Sequence, residues 1–226
     1  MTDKQTVARA YARWAPVYDL VFGAVYKRGR QAATQAVERI GGRILEVGVG
    51  TGISLSDYSR ANQICAVDIC EPMLLKAKER VAGFNLNNVE GLWVMDAEHL
   101  AFRDESFDVV VAKYVITTVP NPEVALDEFA RVLKPGGEIV LVSRVGAETG
   151  LRRALEKWFA PMARKLGWRT EFPWQRYARW ADGTAGIRLV ERRAMPPFGH
   201  FALIRFAKHC GSSATQAFQR VINTPV

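Results

Sequence analysis

Gly48, Gly50 and Gly52 close the run Arg43-Ile-Leu-Glu-Val-Gly-Val-Gly-Thr-Gly52. An apolar strand that ends in such a triplet can turn tightly and let its backbone approach a ligand. A helix expected just after Gly52 would offer free N–H groups at its first turn. Asp68 ends the next apolar run, sixteen residues after Gly52. A carboxylate there can take both hydroxyls of an adenosine ribose, an arrangement that suits NAD and S-adenosylmethionine alike. The glycine spacing separates the two. A dinucleotide fingerprint is Gly-x-Gly-x-x-Gly. Here the third glycine comes one residue early, and Ile53 holds the fingerprint position.

Further candidates follow in order. Asp96, in Met95-Asp96-Ala97, can accept from an adenine amine while Met95 packs on the ring. Tyr114 follows the next apolar run, where the far end of such a ligand would sit, and Leu133-Lys-Pro-Gly-Gly-Glu138 precedes another.

These residues need strands to end beside one another. Short apolar runs give strands near 43–48, 63–69, 91–95, 107–113 and 137–143. Helical stretches lie after Gly52, from Pro72 to Val81 and from Pro122 to Leu133. Such alternation implies a parallel sheet covered on both faces. The first 40 residues read as helices. Val7, Tyr11 and Trp14 form one stripe, Pro16 interrupts it, and a second runs from Val17 to Val25. Beyond the core, residues 150–166 read as a long basic helix and Pro173-Trp174 as a loop. The runs 186–192 and 199–207 suit an antiparallel pair at the sheet edge. Length and composition fit one domain of 226 residues with 49% hydrophobic and 24% charged residues. Its parts are 1–40, 41–145, 146–210 and a tail, 211–226.

The formal charge of +8 is unevenly placed. Between Leu151 and Cys210 stand 13 Arg and Lys against 4 acidic residues. Such a surface attracts nucleic acid, an anionic membrane or an acidic small molecule. Three cysteines are too few for a disulfide framework, and no pair has metal-ligand spacing, so no metal site is expected. No apolar signal core and no run of about 20 apolar residues is present. A cytoplasmic chain able to visit the inner face of a membrane is expected.

With these motifs in this order, residues 40–145 resemble the class I S-adenosylmethionine-dependent methyltransferases. The resemblance implies a Rossmann-like α/β fold: a mostly parallel seven-stranded sheet, helices on both faces and N-terminal capping helices. It implies that Glu46, Gly48, Gly50 and Gly52 shape the methionine pocket and Asp68 binds ribose beside Ile69. Met95, Asp96 and Ala97 would hold adenine, and the Lys113 backbone would face the methionine amino group. Tyr11-Ala-Arg-Trp-Ala-Pro-Val-Tyr-Asp19, Ser143–Arg153, Glu171–Trp174 and Met195–Phe201 narrow the likeness. Over residues 8–208 the chain resembles the soluble bacterial phosphatidylethanolamine N-methyltransferases. That implies stepwise methylation of phosphatidylethanolamine toward phosphatidylcholine.

A phospholipid acceptor calls for phosphate donors and a proton acceptor. Tyr18, Tyr114, Arg144, Tyr177, Arg179 and His200 are the candidate acceptor-site residues, with Arg176 behind them. Tyr18 and His200 are the candidates for the proton. Tyr18 and Tyr177 are expected to meet at the mouth of the pocket. Two other readings stand beside this one. A quinone or other small-molecule methyltransferase would have an apolar acceptor pocket. A nucleic-acid binder would use Trp168, Trp174, Tyr177 and Trp180 among Arg169, Arg176 and Arg179.

Overall fold

A computed structural model describes residues 26–145, 173–195 and 201–210. The N-terminal stripes, Tyr18, the 150–166 helix, His200 and the tail lie outside these residues.

Seven strands form one sheet: β1 (Arg43–Val47), β2 (Gln63–Asp68), β3 (Val89–Val94), β4 (Phe107–Lys113), β5 (Leu133–Arg144), β6 (Ile187–Met195) and β7 (Phe201–Lys208). Their order is β3-β2-β1-β4-β5-β7-β6. The first five are parallel, and β7 and β6 add the expected antiparallel pair at one edge. Four helices accompany them among the described residues: α1 (Lys27–Glu38), α2 (Glu71–Gly83), α3 (Pro122–Val132) and α4 (Trp174–Gly183).

Successive strand residues point to opposite faces, and here both faces are buried. Leu45, Val67, Val110 and Leu141 face one core, closed by Leu126 and Phe129 of α3 and by Tyr177 and Trp180 of α4. Ile44, Ala66, Val111 and Val142 face the other, closed by Ala33, Ala36 and Val37 of α1. This two-sided burial explains why the strands read as continuous apolar runs.

Three expectations are corrected. The helix after Gly52 is only a 3-10 turn, Leu55–Asp57, and Tyr58 then turns extended. The cause lies below it, where the Ser54 and Tyr58 hydroxyls donate to buried Glu46 at 2.6 and 2.8 Å. Strand β5 starts at Leu133, which pairs with Phe107 ahead of a register shift. Trp174 opens a helix instead of lying in a loop, because Pro173 is extended at the N-cap and the Trp174 ring packs near Tyr177.

Arg131 ties α3 to the segment before β4. Its guanidinium donates to Glu128 and Asp104, each at 2.7 Å, and to the carbonyls of Phe102 and Leu100. Glu128 also accepts the Leu100 N–H at 2.8 Å. The Arg131 hydrogen bond, against the opposing effect of burial, holds the Glu128 carboxyl below its ordinary range. A depressed folded-state value stabilises fully above the unfolded value of about 4.3, and that stability is lost as pH falls through the lower folded value. Glu128→Gln should therefore lower the thermal midpoint at neutral pH and shrink its drop on acidification below about pH 5. Parallel midpoint-against-pH curves for the two proteins would contradict this linkage.

Candidate functional site

Strands β1 and β4 are neighbours, and the connections from their carboxyl ends run to opposite halves of the sheet, to β2 and to β5. Such a switch point opens a crevice at the strand ends. A cleft lies there. Its floor is the glycine loop. Gly48 and Gly50 have φ of +71° and +58°, in the left-handed region that suits glycine. A Cβ on Gly48 would run into the Val115 side chain, whereas one on Gly50 would meet nothing within 4 Å. Gly50 is thus where a ligand can approach the backbone closely.

Asp68 holds this loop from the side. Its two oxygens accept the N–H groups of Gly50 and Cys70, each at 2.8 Å. A carboxylate has about four acceptor positions, so some capacity remains for a ligand hydroxyl. Burial pushes its pKa up, against the pull of the Cys70, Gly50 and Ile69 N–H groups.

Glu46 holds the loop from below. It is 2% exposed and accepts from Ser54, Tyr58 and, at 3.2 Å, the Lys113 ammonium. Lys113 also donates to the Tyr58 hydroxyl at 2.8 Å. Burial lowers the Lys113 pKa and Glu46 opposes the shift. Burial and Glu46 together push the Tyr58 phenol well up.

Gly48, Gly50, Asp68, Ile69, Met95, Asp96, Ala97, Lys113 and Tyr114 all line the cleft, whereas Glu46 and Gly52 do not. Glu46 is fully engaged beneath it, and Gly52 lets the chain pass close to Ala77 of α2. Cys70 and Met73, just past Asp68, also line it, as do Val115, Thr118, Val119 and Pro120 of the segment after β4. For the segment after β4, its place at the carboxyl end of a switch-point strand was the available signal. Ligand atoms of Asp96, Glu98 and His99 lie within 4.8 Å of one another. Both carboxylates are already engaged: Asp96 accepts the Glu98 N–H at 2.9 Å, and Glu98 accepts the Asn121 N–H at 2.7 Å.

Tyr114 has φ of +65°, uncommon for a residue with a side chain. That turn sends its ring under α1, where it stacks on Tyr26 with centroids 4.1 Å apart and its hydroxyl donates to the Tyr26 carbonyl at 3.3 Å. A Cβ on Gly29 of α1 would collide with the Tyr114 hydroxyl, which explains a glycine within the helix.

The acceptor candidates separate. Arg144 ends β5 on the α1 side, partly exposed. Tyr177 does not reach the cleft, and its expected meeting with Tyr18 there is corrected. It is fully buried in the opposite core, and its hydroxyl lies 2.6 Å from Ser143 Oγ in a hydrogen bond. Arg179 is exposed on α4 and donates to the Gln175 carbonyl, while Arg176 pairs with Glu123. Neither lines the cleft. The cause is the amphipathic pattern of α4, which turns its aromatic face into the core and its arginines outward.

Residues 45–141 match the family described as methyltransferase domain. The phosphatidylethanolamine N-methyltransferase of Cereibacter sphaeroides is 41% identical over 206 residues, spanning 91% of this chain and 99% of that protein. A ubiquinone/menaquinone biosynthesis C-methyltransferase of Cupriavidus taiwanensis is 27% identical, over 88% and 79%. Among solved structures, the cyclase SpnF superposes with a TM-score of 0.75 at 18% identity, covering 92% of this chain and 97% of that one. An S-adenosylmethionine-dependent methyltransferase of Thermotoga maritima superposes with a TM-score of 0.63 at 23% identity, over 88% and 98%. These two likenesses concern the fold.

Replacing glycine by alanine inside an exposed helix ordinarily gains about 1 kcal/mol. Gly29→Ala should instead destabilise the protein, because the methyl group displaces Tyr114. Chemical unfolding checks the sign, and a stabilised variant would show that Tyr114 is not held there.

Proposed function

Because the chain belongs to the S-adenosylmethionine-dependent methyltransferases, we propose that it methylates the amine of phosphatidylethanolamine, stepwise toward phosphatidylcholine. The observation that carries this reading is the likeness, along nearly its whole length, to a relative that bears that name.

The cleft suits the donor. Open space above Gly50 admits the ligand, and the remaining acceptor capacity of Asp68 suits a ribose hydroxyl. Ile69, Met95, Asp96 and Ala97 would hold adenine, and Gly48, Gly50 and the Lys113 backbone the methionine end. The donor supplies an electrophilic methyl group on a sulfonium. The protein's task is alignment and exclusion of water, and alignment contributes roughly 7–11 kcal/mol to such reactions. Apolar Val115 and Val119 on the cleft wall help keep the reacting atoms dry. The acceptor is a primary ammonium with a pKa near that of lysine, about 10.4, and must lose a proton first. Tyr18 or His200 would receive it. Arg144 would meet the phosphate.

Attachment to the membrane would be peripheral. No helix among the described residues is long and apolar enough to cross a bilayer. The basic C-terminal third and the stripe Val7, Tyr11 and Trp14 would bring the chain to the anionic inner face. Each Lys or Arg near such a surface contributes about 1 kcal/mol.

The quinone-methyltransferase relative supports a second reading, in which the acceptor is an apolar ring. Labelled S-adenosylmethionine with phosphatidylethanolamine in anionic micelles, a demethylated quinone and RNA separates the readings. Phosphatidylethanolamine should take the label, and added salt should slow the reaction by screening the surface. Label in the quinone alone, or in RNA alone, would overturn the proposal.

A further inference from the structure

Helix α1 starts at the end of the sheet that carries the cleft. Tyr26, just before it, stacks on Tyr114 of the cleft wall and meets Phe201, the first residue of β7, edge-on at 5.7 Å. A Cβ on Gly29 would press on Val142, near the carboxyl end of β5. The first turn of α1 therefore stands over the carboxyl ends of β4 and β5. It holds Lys27 and Arg28, both exposed. Arg144 ends β5 close by. Burial raises the Tyr26 phenol pKa and the Arg144 charge opposes the rise, which places that charge near the start of α1.

The positive end of a helix dipole favours acidic side chains and disfavours basic ones. The first turn of α1 has no acidic residue, and no side chain caps it. Arg30 lies 4.0 Å from Asp57, but Lys27, Arg28 and Arg144 pair with no carboxylate among the described residues. The amino end of the sheet differs. There Arg43 pairs with Glu90, Arg131 with Asp104, Lys134 with Asp108 and Lys208 with Glu105. Lys27 and Arg28 thus oppose the stability of their own helix and, being exposed, gain nothing from packing.

A face of this kind attracts an anionic partner. A second copy offering the same face would set like charges together. An anionic bilayer fits better, because the cleft opens at this end and docking here brings its mouth to the lipid headgroups. We infer that Lys27, Arg28 and Arg144 form a docking face for an anionic lipid surface, which turns the carboxyl end of the sheet, and the cleft with it, toward the bilayer. The choice of a bilayer rests on the phosphatidylethanolamine reading. None of the three residues lies in the basic stretch from Leu151 to Cys210, so they add a second source of membrane attraction and fix which end of the molecule faces the lipid.

The test is co-sedimentation of the full chain with vesicles of mixed phosphatidylglycerol and phosphatidylcholine, at about 0.1 M salt, beside vesicles of phosphatidylcholine alone. The wild-type protein should bind the anionic vesicles and not the neutral ones. A Lys or Arg near an anionic surface is worth about fivefold in affinity, so Arg144→Gln should bind about fivefold more weakly and Lys27→Gln/Arg28→Gln about ten- to thirtyfold. Arg39→Gln/Arg103→Gln removes two exposed charges from the amino end. Arg39 stands roughly 18 Å along α1 from Lys27, beyond the screening length of about 10 Å, so this control should bind as the wild type does. Equal loss in the cleft-end and amino-end pairs, or no loss in the cleft-end variants, overturns the docking face. It is overturned equally if Lys27→Gln/Arg28→Gln weakens RNA in a gel shift while holding anionic vesicles normally, since the face then takes nucleic acid. The thermal midpoint of Lys27→Gln/Arg28→Gln should be no lower than that of the wild type, because two cations leave the positive end of a helix, and this separates lost docking from lost fold. If the wild-type protein fails to methylate phosphatidylethanolamine, the functional reading fails; if it succeeds while Lys27→Gln/Arg28→Gln sediments normally, only the docking face fails.

Discussion

Glu46 and Lys113 form a buried ion pair beneath the cleft, 3.2 Å apart and almost wholly removed from solvent. Leaving either charge without the other would cost about 3–5 kcal/mol. The pair joins β1 to β4 where the sheet diverges. Through Ser54 and Tyr58 it also draws down the chain that leaves the glycine loop. The segment after Gly52 thereby becomes a short turn, and the loop stays open above. Asp68 completes the frame from β2. The two carboxylates have different tasks, Glu46 spent on the fold below the cleft and Asp68 on its wall.

The sequence disclosed what depends on local pattern. Strands buried on both faces read as apolar runs, and Gly48, Gly50 and Asp68 stand where a strand end must turn. Tertiary contacts decided the rest. The helix expected after Gly52 was overridden by hydroxyls bound to Glu46, a partner several residues earlier. Tyr177 has the chemistry of a phosphate donor, but its helix turns that face inward to Ser143. Tyr26 and Phe201 lie 175 positions apart, and only the return of β7 alongside β5 brings them to one place.

The basic third is less uniform than its composition. Arg205 pairs with Glu138 and Glu191, and Arg176 with Glu123, so these charges bind the edge strands and α4 to the sheet and to α3. Arg179, Arg188, Arg192 and Arg193 are exposed. Arg193 pairs with Glu191, and Arg192 lies over the Trp174 ring. Part of the positive charge therefore serves the fold, and the exposed part is what an anionic surface would meet.

The central claim is that the loop framed by Asp68 is where the methyl donor binds. Calorimetric titration of S-adenosylhomocysteine into the wild-type protein and Asp68→Ala tests it most directly. Binding should weaken by roughly 1.5–3 kcal/mol, the worth of a charged acceptor. Equal affinity in the two proteins would contradict the account and place the donor elsewhere.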